Sequence, residues 1–176
     1  MKISRIEHYR LDEPLRGELV ELLRGSFPSY PRDRAYFKLP PHFHLLGTED
    51  GRLVGQTGVE YRVVGADGRV LTVFGVSDLC VAPGARSRGL ASALLRAVEG
   101  LARESGVEFV VLFADDERLY RANGFVRAAN VCRRVMIDEH RTLGIKDEAL
   151  GDCLMYKQLG PTAWPSGPLD LLGHVF

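Results

Sequence analysis

Apolar residues first recur at helical spacing at Leu15, Leu19, Leu22, Leu23 and Phe27, which marks one face of an amphipathic helix. Asp12 can cap its start and Pro14 suits its first turn, while Gly25 leaves the exact end open. From Phe43 the period shortens. Phe43 to Gly47, Leu53 to Val64 and Arg69 to Val81 read as strands, and the breaks Glu49-Asp50-Gly51 and Gly65-Ala66-Asp67-Gly68 carry hairpin chemistry. Three antiparallel strands are expected from this pattern.

Pro83 and Gly84 stop the third strand. Leu90, Leu94, Leu95, Val98, Leu101 and Ala102 then mark a second amphipathic helix that ends near Gly106, with Glu99 and Arg103 one turn apart. Phe109 to Phe113 is an unbroken apolar run, as a strand buried on both faces reads, so the unit is strand, loop, helix, strand. Glu117 to Ala122 predicts a short helix closed by Asn123-Gly124, and further strands are expected near Val131 to Ile137 and Cys153 to Leu159. The tail from 160 to 176 holds Pro161, Trp164, Pro165, Gly167, Pro168 and Gly173, too many breakers for a regular element. With no repeat or linker in view, the expectation is a single domain over 1–176 with an irregular tail.

Composition narrows the picture. At 176 residues, 45% of them hydrophobic, the chain can bury one sizeable core. Its 23 basic and 23 acidic side chains cancel, which argues against nucleic acid or an anionic membrane as partner. Residues Met1 to Arg10 lack the apolar run of a secretory signal, and no stretch reaches the roughly 20 apolar residues of a spanning helix, so a cytoplasmic protein is expected. Cys80, Cys132 and Cys153 fit reduced core thiols. His42 and His44 alternate onto one strand face, but two histidines without a third ligand give no metal site.

The loop before the second helix carries the most chemistry. A helix N-terminus offers unpaired N–H groups and partial positive charge, a natural seat for a phosphate. Arg86 and Arg88 add charge, Gly89 permits close backbone approach, and Ala91 and Ser92 keep the first turn uncrowded. The spacing Gly84 to Gly89 matches a Walker A loop, yet Leu90-Ala91 stands where Lys and Ser/Thr would hold phosphate and magnesium. A nucleoside triphosphatase is disfavoured, and antiparallel hairpins without Gly-x-Gly-x-x-Gly argue against a dinucleotide fold. A plain surface turn is the competing reading.

Three segments in order, Asp78-Leu79-Cys80-Val81-Ala82-Pro83, Arg86-x-x-Gly89-x-Ala91 and Leu119-Tyr120-Arg121-Ala122-Asn123-Gly124-Phe125, resemble the GNAT acetyltransferase superfamily. The resemblance implies an α/β fold with a mixed sheet: antiparallel N-terminal strands, a parallel pair splayed around CoA, and flanking helices. It implies acetyl-CoA as cosubstrate, with Leu79, Cys80 and Val81 along the pantetheine and Arg86, Ser87, Arg88, Gly89, Leu90 and Ala91 around the pyrophosphate, bound chiefly through N–H groups. Tyr120 would face the sulfur as general acid. Asp78 is the carboxylate left for the amine where family members often carry a Glu-Asp pair, and Ser77 occupies the other position against the substrate. Trp164-Pro165-x-Gly167 is similar to the aminoglycoside 2'-N-acetyltransferases and to the NodA acyltransferases, which makes Trp164 and Phe176 candidates for the acceptor site.

The expected activity is direct transfer of an acetyl group to a primary amine of a small polar molecule, an amino sugar among the candidates. A longer acyl chain and a non-catalytic CoA-binding role both stay open, as does a homodimer. Glu60 and Asp152 could add charge for a cationic substrate, though solvated surface positions are the simpler reading, and Cys80 reads as core rather than nucleophile.

Overall fold

The computed structural model describes residues 1–176. They group into two compact units, each assembled from separated stretches of chain: residues 1–59 with 77–98, and residues 60–76 with 99–176.

The first unit opens with β1 (Lys2–Glu7), which lies antiparallel to β2 (Phe43–Glu49) from Lys2↔Thr48 to Glu7↔Phe43. Between them runs α1 (Glu13–Ser26). Asp12 caps it by accepting from the Leu15 N–H at 3.0 Å, and Leu19 and Leu23 are fully buried against Leu11, Tyr30, Leu46 and Cys80. β2 turns into β3 (Arg52–Ala66) through Asp50 and Gly51, both with φ positive, the mirror-image turn whose twist matches paired strands. β4 (Arg69–Val81) follows after Asp67 and Gly68, again both at positive φ, and contributes residues 77–81 to this unit. Residues 90–98 of α2 (Leu90–Glu104) complete it.

In the second unit, β4 pairs in parallel with β5 (Phe109–Phe113), and the last pair of their register is Val76↔Leu112. Phe109, Val110, Val111 and Leu112 are all buried, as an unbroken apolar run requires. α3 (Arg118–Ala122) ends at Asn123, and Gly124 follows in the left-handed region at φ +82°. β6 (Val126–Arg127), β7 (Val131–Asp138), β8 (Arg141–Ala149) and β9 (Leu154–Gln158) come next; β9 lies antiparallel to β5 and β6, and β8 antiparallel to β7. The parallel and antiparallel pairings make the fold the mixed α/β class expected of a GNAT-like chain.

Four strands, β1, β6, β8 and β10, depart from the expectation. β8 is a strand of mostly exposed polar residues, and the tail contains β10 (Leu169–Asp170), antiparallel to β3 and parallel to β7. Leu169 and Leu171 are each 1% exposed and join the core formed by Val73, Phe109, Val111 and Leu154. Apolar burial outweighs the local breakers there.

Candidate active site

α2 is seated at its N-terminus by shape. Gly47 and Gly55 face each other across β2 and β3, and the buried Leu90 side chain fills the depression they leave. A Cβ on either glycine would come within 2.8 Å of a Leu90 methyl, so the two glycines make the room that the Leu90 side chain occupies against the sheet. The approach from β4 is equally fixed. The Ala82 N–H donates to the Val54 carbonyl at 2.8 Å, a single 3-10 turn spans Pro83–Ala85, and Arg86 Nε donates back to the Val81 carbonyl at 2.9 Å.

Ser87 and Gly89 then adopt φ of +59° and +79°. Nothing lies within 4 Å of the Cβ that Gly89 lacks, so backbone conformation, not crowding, calls for glycine within the fold. The Gly89 carbonyl accepts from the Ala93 N–H at 2.9 Å, the first bond of the helix, which leaves the N–H groups of Leu90 and Ala91 without intrahelical acceptors. Beside them is a cavity of about 170 Å³ lined by Met1, Glu49, Val54, Ala85, Arg88 and Leu90.

The arginines are engaged within the protein. Arg86 supports the strand end, and Arg88 makes a two-pronged contact with Glu49, which holds that carboxyl below the usual range. Their contribution to an anion site is therefore smaller than a count of charges suggests. The main attraction left is the helix terminus itself.

Further back along β4, Asp78 breaks the strand's alternation with φ +51°. The side chains of consecutive β3 residues reach its backbone: Thr57 Oγ1 donates to the Ser77 carbonyl at 3.1 Å, and Gln56 Nε2 donates to the Asp78 carbonyl. The carboxylate accepts from the Tyr30 hydroxyl at 2.8 Å. Burial and the adjacent Asp78 charge push the Tyr30 phenol far above its ordinary range, so it stays a donor. Ser77 Oγ packs where a Cβ on Gly58 would sit. Leu79 is half-buried, while Cys80 and Val81 are buried, and burial pushes the Cys80 thiol up to about 11, which removes it as a nucleophile at neutral pH.

The remaining candidates lie in the second unit. Tyr120 sits half-buried on α3, edge-on to Phe125 at 5.9 Å, and burial with Asp116 raises its phenol. Trp164 stacks on Tyr156 at 4.2 Å and spends its one donor on Asn130 Oδ1 at 2.8 Å, so it packs the tail. The Phe176 ring covers Gly75, where a Cβ would lie 2.0 Å from it, and the Arg62 guanidinium stands 4.6 Å from the ring centroid. Glu60 overturns the surface reading: it is buried, 3.4 Å from both Arg62 and His174. Asp152 is exposed, as expected.

Three residues of this architecture, Tyr30, Gln56 and His44, have no motif. Tyr30 lies in the aperiodic stretch between Pro28 and Pro31, and a buried Gln or His within a strand looks like any polar residue on its outer face.

The model of the acetyltransferase (GNAT) domain matches residues 15–128. Among solved structures, the GNAT family N-acetyltransferase YhbS of Escherichia coli, in complex with CoA, is similar at 21% identity and TM-score 0.65 over 97% of this chain and 88% of that one. Aminoglycoside 6'-N-acetyltransferase complexed with coenzyme A is similar at 18% identity and TM-score 0.65, over 93% and 100%. Escherichia coli ElaA follows at 16% and 0.61, over 89% and 99%. At these identities the likeness is one of fold. None of the curated proteins compared matches the chain.

Proposed function

The chain belongs to the GNAT acetyltransferase family, and from that membership we propose that it transfers an acetyl group from acetyl-CoA directly to a primary amine of a small polar molecule, with amino sugars among the acceptors. The observation that carries this reading is the seat of α2: two left-handed residues, Ser87 and Gly89, deliver the chain to a helix start whose first N–H groups have no intrahelical acceptors, beside a cavity that Leu90 lines. Backbone donors of Leu90 and Ala91 would take the pyrophosphate, and Leu79, Cys80 and Val81 at the end of β4 would line the pantetheine. The CoA bound in YhbS and in the aminoglycoside enzyme is in keeping with this, as a property of those proteins.

The chemistry asks for a neutral amine, a C–N bond formed as the C–S bond breaks, and a proton for the departing thiolate. In the proposed mechanism Asp78 receives the amine's proton, directly or through water, and Tyr120 gives its phenolic proton to the sulfur. Both tyrosines near these roles, Tyr30 and Tyr120, are raised above the ordinary phenol range, which keeps them protonated near neutrality.

The test is thiol release from acetyl-CoA across a panel of amino sugars, polyamines, amino acids and arylalkylamines, beside calorimetric titration with CoA. Saturable CoA binding and release with at least one amine are expected. Absence of CoA binding would remove the loop assignment, and binding without release from any amine would remove the enzymatic one.

A further inference from the structure

A buried polar chain runs through the first unit to Asp78. His8 Nδ1 lies 2.9 Å from His44 Nε2, His44 Nδ1 lies 3.1 Å from Gln56 Oε1, and Gln56 Nε2 meets the Asp78 carbonyl. His44 and Gln56 are each 1% exposed. Burying an amide and an imidazole costs free energy unless each polar group finds a partner, and here the partners form one directed sequence.

The direction follows from the last link. A carbonyl cannot donate, so the Gln56 amide nitrogen must face Asp78 and its oxygen must face His44. That oxygen accepts, so His44 carries its proton on Nδ1. Its Nε2 is then an acceptor, and His8 must carry a proton on Nδ1. Every donor points toward Asp78.

At the far end, Asp78 holds a left-handed backbone conformation, which Asp takes readily in turns but which inside a strand interrupts the extended backbone and calls for support from its surroundings. We propose that Gln56, oriented by His44 and His8, is the positioning residue for Asp78: it fixes the carbonyl, and with it the peptide geometry that aims the carboxylate, while Tyr30 holds the carboxylate from the other side. The inference rests on Asp78 as the acceptor of the amine's proton. Gln56 touches no reacting atom in this scheme and acts through Asp78.

Two measurements test it. In uniformly ¹⁵N-labelled protein at neutral pH, two-bond nitrogen–proton correlations should show His44 as the Nδ1–H tautomer; an Nε2–H tautomer overturns the directed chain, and this reading needs no variant to fold. Gln56→Met keeps the length and apolar bulk of the side chain and deletes the donor. With acetyl-CoA and the fastest amine of the panel, kcat should fall about tenfold while KM for the amine and the calorimetric affinity for CoA stay within about twofold. Unchanged kcat overturns the proposal. Asp78→Asn, run in parallel, separates the two layers: a large loss in Asp78→Asn with none in Gln56→Met sinks the positioning role alone, whereas no loss in Asp78→Asn sinks the carboxylate's role and the positioning role with it.

Discussion

A phenol beside a carboxylate and partly out of water holds its proton more tightly than one in solution, and Tyr120 is in that position with Asp116. Tyr120→Phe keeps the ring and its edge contact with Phe125 but deletes the proton that the thiolate would take. General acid catalysis contributes about 10²–10⁴-fold, and a thiolate is a tolerable leaving group, so kcat should fall by about 10², with CoA affinity unchanged. A steady-state rate within about twofold of the parent, with chemistry rate-limiting, would reduce Tyr120 to a packing residue. His44 yields a pH prediction of its own. Desolvation lowers its pKa to about 4, against 6.5 for a free imidazole. Above pH 6.5 both folded and unfolded chains are neutral there and no penalty arises. As pH falls from 6.5 to 4 the unfolded chain binds a proton that the folded chain refuses, so stability drops through that window and levels off below it. The loss should reach about 3 kcal/mol at most. Denaturant titrations of the parent and His44→Gln across pH 4–7 should show a shallower slope in the variant; equal slopes would mean that His44 titrates normally.

Elements declared themselves in the sequence where turn chemistry agreed with strand pattern. Asp50-Gly51 and Asp67-Gly68 supply the two positive φ values that tight hairpins need, and β2, β3 and β4 follow within a residue or two of their expected bounds. The β7–β8 hairpin makes the same kind of turn with Glu139 and His140, residues that rarely take positive φ, and β8 presents Arg141, Lys146 and Asp147 to water, so neither signal was there to read. β1 is similar: Ile3 and Ile6 do not alternate, and the strand is held by its backbone ladder to β2. The loop before α2 was legible as a strand-to-helix junction with a glycine at its end, but the reason for Gly89 in the fold is its φ of +79° with open space around it. Gly89→Val should therefore act twice, straining the loop and blocking a ligand's approach, and CoA affinity should fall at least tenfold by calorimetry; an unchanged Kd would take Gly89 out of the site. In the tail, Gly75→Ala should destabilise by about 1–3 kcal/mol because its Cβ overlaps the Phe176 ring. Phe176→Ala should absorb most of that cost, and additive losses in the double variant would show that the contact is not the cause.

At the scale of the whole molecule, motif order located the strand end, turn and helix start from Asp78 to Ala91, the segment proposed to bind the donor, because a strand stop, a left-handed glycine and a helix start have local signatures. What supports Asp78 was not legible, since Tyr30, His44 and Gln56 come from separate segments and meet only after folding. The same distinction makes CoA a test of the folded state as a whole. The seat of α2 depends on Gly47, Gly55 and Leu90 being brought together from three elements, so an unfolded chain has no such site and CoA should bind the native form alone. Under that condition ligand at 100 times its Kd adds about 2.7 kcal/mol by mass action. For a chain of 176 residues each kcal/mol raises Tm by about 2–4 °C, so saturating CoA should raise it by about 5–11 °C. The shift should grow with the logarithm of CoA concentration once the site is full, and Gly89→Val should need correspondingly more CoA to reach the same Tm. A melting temperature that ignores CoA in the parent protein, under conditions where the unfolding is reversible, would remove the helix start as the donor site.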